Sequence, residues 1–214
     1  MIRICILMVV FAVPALASTK INERSFSNQK SWMLPSYLSL AESQPAKLIE
    51  MSKEQFSKET LDRAKKERGL SYAWQDRMAL LGGLSQLFNP EAKIKASRIQ
   101  VREFQNAAQK LIEQTLRSDT SLLVRDGAVE TIRRIIRMQP SNSKRWRRSL
   151  EAAFLDRGNV MDGEGLFIRE TLLTAIREAN LPLSNRIKRA AELDQNPKVK
   201  RLLSLWNTRA FDTL

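Results

Sequence analysis

Basic residues on either side of a predicted turn carry the chemistry of anion recognition. The turn is marked by Gln139-Pro140. The seven bases around it are Arg133, Arg134, Arg137, Lys144, Arg145, Arg147 and Arg148. Arginine forms two parallel hydrogen bonds with a carboxylate or a phosphate, whereas lysine acts as a point charge. We expect the short turn to bring these bases to one edge of the fold, where they could hold an acidic protein segment, an anionic lipid or a wall polymer.

Simpler roles for this basic cluster stay open. Bases in the last turn of a helix stabilise the helix dipole, and bases on a solvated face need no partner. Trp146 lies among the bases, but its i, i+4 spacing from Leu150 favours a position in the core over a contact with a partner.

Three acids share a glycine-rich loop: Asp156, Asp162 and Glu164. Carboxyl groups about 5 to 9.5 Å apart can hydrolyse a glycan, and acidic loops can bind calcium, but the spacing does not match an EF-hand. The chain has no histidine, and its one cysteine is Cys5, so the usual general base, thiolate nucleophile and zinc ligands are missing. We therefore expect a solvated turn in a protein that is not an enzyme and has no catalytic residues, metal or cofactor.

Apolar residues recur at spacings of three and four along most of the chain, which predicts an all-helical fold. Ser52 and Gln55 have the spacing of a capping box and predict a helix that begins there. A long helix is expected over 91–116, with Ile99 on its buried side. Short turns between successive helices predict stacked antiparallel helical hairpins.

An aliphatic residue followed by a base begins three of the apolar stretches, at separations of 44 and 31 residues. The pairs are Val124-Arg125, Ile168-Arg169 and Val199-Lys200. Asp119 and Asp194 stand five residues before the first and third pairs, and Trp74-Gln75 marks a degenerate earlier copy. The pattern resembles the helix-turn-helix junction of HEAT repeats over about residues 71–214.

This resemblance implies a short HEAT-like α-solenoid. In the family, the turn acid and the base that starts the second helix form a hydrogen-bonded ladder between neighbouring hairpins. The positions that match are Asp119, Arg125, Arg169, Asp194 and Lys200. The resemblance assigns them to stability. The middle copy has Gly163 where the acid belongs, which leaves that part of the ladder open.

The first residues predict export. Arg3 precedes an apolar run over 4–13, and Ala15-Leu16-Ala17 suits a signal peptidase, so residues 1–17 are interpreted as a cleavable signal peptide with no transmembrane anchor in the mature chain. The alternative is a short apolar segment docked into the fold. Residues 18–50 are expected to form a flexible tail and a capping segment, and residues 51–214 a single HEAT-like helical-repeat domain.

The chain is strongly basic, with 36 Lys and Arg against 23 Asp and Glu, and removing Arg3 changes its net charge from +13 to +12. Glycosylation sequons are absent, which favours a bacterial periplasm over a eukaryotic secretory route. We expect a periplasmic scaffold or adaptor that binds another protein, with secretion as the other destination. The alternative is a basic binder of lipid headgroups or wall polymers. Nucleic-acid binding is a weaker third candidate, because a signal peptide would carry the protein out of the cytoplasm, where nucleic acid is found.

Overall fold

A computed structural model describes residues 37–66, 72–159 and 165–207. Within these ranges the chain forms ten α-helices, two short 3-10 turns and no strand, which confirms the all-α prediction. None of the helices in these ranges combines the length and apolarity needed to cross a bilayer. The predicted signal peptide, residues 1–17, lies outside the described residues, as does the stretch 18–36.

The helices are named in chain order. They are α1 (residues 37–43), α2 (Pro45–Gln55), α3 (Lys58–Lys66), α4 (Tyr72–Gln86), α5 (Arg98–Ser118), α6 (Leu122–Met138), α7 (Ser143–Leu155), α8 (Gly165–Glu178), α9 (Asn185–Glu192) and α10 (Pro197–Asn207). The 3-10 turns are Pro140–Asn142 and Arg157–Asn159.

Alternate helices pack against one another. Helices α4, α6, α8 and α10 follow one another in contact, and so do α2, α5, α7 and α9. Helix α5 also packs against α6, α7 against α8, and α9 against α10, so each consecutive pair forms a hairpin. One cluster of buried apolar side chains extends through these hairpins, from Ala41 to Leu203.

Helix α6 is the centre of this packing, in contact with α4, α5 and α8. Apolar residues along one face of this helix are fully buried, including Val124, Ala128 and Ile132. Gly127 lies against α4, where a Cβ atom would overlap the thioether of Met78. The glycine therefore leaves room for the end of the Met78 side chain between the two helices.

The expected helix start at Ser52 is wrong. Helix α2 begins at Pro45, a residue suited to a first helical turn, and it ends at Gln55. Ser52 is buried inside α2, where its hydroxyl donates a hydrogen bond to the carbonyl of Leu48 at 2.8 Å. Serine can satisfy its hydroxyl in this way within a helix, so the spacing of a capping box does not by itself mark a helix end.

The long helix expected over 91–116 begins later, because a capping box further along the sequence sets its start. The Ser97 hydroxyl accepts a hydrogen bond from the Gln100 amide, and the Gln100 side chain accepts one from the Ser97 amide. Ile99 therefore lies in the first turn of α5 and is 75% exposed, contrary to the expectation that it is buried.

Two matched substitutions test this assignment of core and surface. Ile132→Ala is expected to lower the free energy of unfolding by about 2–5 kcal/mol, because it leaves a cavity in a fully buried site. Ile99→Ala, the same change at an exposed helical site, should stay within about 0.5 kcal/mol. Urea unfolding followed by circular dichroism measures both. Equal losses of unfolding free energy in the two variants would contradict the assignment of α6 to the centre of the core.

Candidate functional site

A buried ion pair joins the turn of the α5–α6 hairpin to the preceding helix α4. Arg77 and Asp119 are 2% and 0% exposed. Arg77 Nε donates to Asp119 Oδ2 at 2.8 Å, and Nη2 donates to Oδ1 at 3.0 Å. Asp119 Oδ1 also accepts the Ser121 amide at 2.8 Å, which fixes the turn. We call this contact the first rung.

Arg77 was not predicted as a ladder residue. The pattern required an aliphatic residue before the base, whereas Asp76 precedes Arg77, and the earlier copy was placed at Trp74-Gln75. The signal that could have identified it is a base near the start of α4, because Arg125 and Arg169 also lie near the starts of their helices.

The third rung joins α8 to the turn before α10. Arg169 Nη1 donates to Asp194 Oδ2 at 2.6 Å, and both residues are buried. Asp194 Oδ1 accepts the Asn196 amide at 2.8 Å. The Arg169 guanidinium carbon also lies 5.0 Å from the centre of the Phe154 ring, a cation–π contact that further holds its position.

The second rung has a neutral acceptor. Arg125 Nη1 donates to Asn159 Oδ1 at 3.0 Å, and its Nε donates to the Asp119 carbonyl at 2.7 Å. Asn159 is fully buried and donates its Nδ2 to the Ala153 carbonyl at 2.9 Å. The sequence pattern placed this position at Gly163, which lies outside the described residues. Asn159 in a 3-10 turn serves as the acceptor.

The three rungs run in one direction along the chain. Each arginine reaches a turn residue that follows it by 42, 34 or 25 residues. The structure thus pairs Asp119 with Arg77 and Asp194 with Arg169. Lys200, on the last described helix, is exposed, and its side chain makes no polar contact with a described residue.

The predicted basic edge divides into paired and unpaired residues. Arg133 pairs with Glu130 and Glu178, and Arg137 pairs with the same Glu178 at 3.1 Å, so both link α6 to α8. Arg145 donates to Gln109 and Asn106 of α5. Arg147 pairs with Glu151 within α7. These four bases therefore serve contacts with different neighbours.

The other three bases are Arg134, Lys144 and Arg148, which we call the exposed triad. All three are exposed, and none makes an ion pair or a side-chain hydrogen bond with a described residue. They lie in α6 and α7 on either side of the predicted turn. Trp146 between them is fully buried and meets Phe88 edge to face at 6.0 Å, which confirms the core position that its spacing predicted.

The acidic loop has one described member, Asp156, because Asp162 and Glu164 lie outside the described residues. Asp156 Oδ1 accepts the Gly158 amide at 2.7 Å, as a turn residue does. Among the described residues, no group of three or more histidine, cysteine, aspartate or glutamate side chains is placed to hold a metal ion.

Comparison with known proteins adds no relative. The sequence matches no protein-family model, and no significant match was found among the curated proteins or the solved structures. The function is therefore argued from the contacts and charges of the chain itself.

The pKa values of two carboxyl groups at the α6–α8 contact are shifted in opposite directions. Burial raises the pKa of Asp126 above its ordinary value, although a hydrogen bond from Thr171 acts against this. The hydrogen bond from Arg133 lowers the pKa of Glu178, despite some desolvation. The same pairing raises the pKa of Arg133.

Asp126→Asn and Glu178→Gln should change stability in opposite directions at neutral pH. Because the pKa of Asp126 is raised in the folded protein, its contribution to stability is most favourable below its ordinary pKa and is lost as the pH rises through the raised value. Its amide variant should therefore be more stable than the wild type near pH 7. The contribution of Glu178 is present above its ordinary pKa and is lost as the pH falls through the lowered value. Its amide should therefore cost about 0.2–1 kcal/mol near pH 7, since solvent screens this exposed group.

Urea unfolding near pH 7 and near pH 3 measures both effects, and both should shrink at the lower pH. A loss of stability in Asp126→Asn near pH 7 would mean that the hydrogen bond from Thr171 outweighs burial.

Proposed function

We propose that this protein is an exported, non-enzymatic helical-repeat scaffold of HEAT type that binds another protein through its surface. The observation that carries the proposal is the set of three rungs. Each rung joins the turn of one hairpin to a helix of the preceding hairpin, and this recurring contact is what a ladder of stacked repeats requires. Such repeats form extended surfaces on which partners bind.

The buried carboxylates favour a scaffold role over a catalytic one. The buried acids Asp119 and Asp194 are both committed to arginines and to backbone amides. Each therefore has its acceptor oxygens used in holding a turn. A carboxylate engaged in this way stabilises the fold, whereas a general base must accept a proton from a substrate.

The exposed triad is the proposed contact surface for the partner. Its three charges are not neutralised by described acids, so a partner with acidic residues would gain from pairing with them. Three other bases of the predicted edge contribute rigidity to this region, since Arg133 and Arg137 connect α6 to α8 and Arg145 connects α7 to α5.

Export is part of the proposal. Arg3, the apolar run over 4–13 and Ala15-Leu16-Ala17 support a cleaved signal peptide and a periplasmic location. N-terminal sequencing of the protein recovered from a periplasmic extract of an expressing bacterium tests it, with Ser18 expected as the first residue. Retention of the uncleaved chain in the cytoplasm would reject export, but it would not contradict the proposed scaffold role.

The second candidate is direct binding to anionic envelope components, either lipid headgroups or wall polymers. It is favoured by the net charge of +12 that remains after the predicted signal is removed from the +13 chain. Salt distinguishes the two candidates, because binding by diffuse charge weakens steeply as ions screen it, whereas a packed protein interface resists.

A crosslinking capture from intact envelopes tests the proposal. The protein, tagged at its C-terminus, is recovered at low and at high salt, and bound protein, lipid and glycan are analysed. A discrete protein retained at high salt supports the scaffold. Diffuse anionic material that salt releases supports the envelope-binding candidate instead.

Charge reversal tests the role of the exposed triad. A variant with Arg134→Glu, Lys144→Glu and Arg148→Glu should weaken capture of that protein about tenfold, because three rim pairs become repulsive. A control with Lys47→Glu, Arg186→Glu and Arg201→Glu changes the net charge equally at exposed sites on α2, α9 and α10. Equal loss in both variants would show that overall charge, and not the triad, governs binding.

A further inference from the structure

A cavity of about 550 Å³ with several charged and hydroxyl-bearing side chains in its lining opens beside the second rung. It lies where α3 meets the end of α5 and the turn before α6. Its lining includes Lys58 and Asp62 from α3, Ser118 and Thr120 from the turn region, and Arg125 from α6. A ladder arginine therefore borders a space large enough for a side chain and part of a peptide backbone.

Arg125 differs in its charge balance from the other two ladder arginines. Arg77 and Arg169 each pair with a buried carboxylate. Arg125 instead donates to the neutral amide of Asn159 and to a backbone carbonyl, and it makes no ion pair with an acid in the described ranges. Of the three ladder arginines, Arg125 alone makes no ion pair with an acid among the described residues.

The two hydrogen bonds of Arg125 hold its guanidinium in place from one side. Nε and Nη1 are engaged, whereas Nη2 donates to no described atom. A guanidinium that is fixed before the ligand arrives loses little side-chain entropy on binding. Arg125 is thus prepared to donate from its remaining N–H groups.

The rest of the lining selects the charge of the ligand. Lys58 adds a second positive charge, and Asp62 adds one negative charge. The Thr120 hydroxyl, which makes no hydrogen bond with a described residue, can serve as a further donor. Two bases and one acid leave one net positive charge at the cavity, which favours an anionic ligand over a neutral or cationic one.

We infer that this cavity binds the carboxylate of an acidic side chain on a partner protein, with Arg125 and Lys58 as its cationic contacts. The inference rests on the proposed function in one respect, since the carboxylate is taken to belong to a protein. Arg125 donates from Nη2 to the carboxylate, Lys58 supplies the second charge, and Thr120 donates from its hydroxyl.

Titration of the purified protein with N-acetylglutamate amide tests the site, followed by the Arg Nε–Hε signals in nuclear magnetic resonance. The Arg125 signal, assigned by its absence in Arg125→Lys, should shift and saturate at millimolar ligand, the range expected for so small a molecule. N-acetylglutamine amide has the same shape without the charge and should not shift it.

Lys58→Gln should weaken binding about threefold, as expected for one exposed charge, and it keeps the test valid if Arg125→Lys fails to fold. Lys110→Gln removes an exposed lysine on α5 that does not line this cavity, and it should leave binding unchanged. Equal weakening by both lysine variants would overturn the inference, as would an equal response to the glutamine compound. Inorganic phosphate that binds as well as the glutamate compound would overturn the preference for a carboxylate.

The titration and the envelope capture can fail separately. Saturable binding of the glutamate compound without any captured protein would retain the site and reject the scaffold. A captured protein without a response at Arg125 would retain the scaffold and reject the site.

Discussion

The buried guanidinium groups impose the main constraint on this structure. An arginine that leaves water must find acceptors for its N–H groups, and an unpaired charge in the interior is strongly destabilising. Arg77 and Arg169 obtain a carboxylate partner only if the turn that carries Asp119 or Asp194 lies beside them. The spacing of the hairpins is therefore fixed by polar contacts at one end of the helices and by apolar packing along their length.

The second rung shows how a structural contact can also create a binding feature. With Asn159 in place of an acid, the hydrogen bonds that hold the turn are retained, while the charge of Arg125 is not cancelled by the acceptor. Because the turn before α6 and helix α3 leave a cavity at this point, Arg125 lies at its border. Stability and recognition then depend on different atoms of one side chain.

The sequence predicted the parts that local patterns encode. Helical periodicity identified the all-α fold, and the aliphatic-base pairs identified the acids of the first and third rungs, Asp119 and Asp194. The pairing of Arg77 and the role of Asn159 were missed, because each depends on which turn packs beside which helix. Ser52 and Ser97 both had the local spacing of a capping box, and only the surrounding packing separated them.

The same limit applies to the surface. Seven bases close in sequence suggested one basic edge, but Arg133 contacts Glu178, 45 residues later, and Arg145 contacts Gln109, 36 residues earlier. Partners distant in the sequence therefore engage some of these bases and leave others without a described partner. A double-mutant cycle between Arg77→Met and Asp119→Ala, measured by urea unfolding, tests whether the rungs couple the hairpins. We predict a coupling free energy of about 2 kcal/mol or more, because either single change leaves a buried polar group without its partner. Additive losses, with a coupling near zero, would contradict the ladder as the element that fixes the stacking.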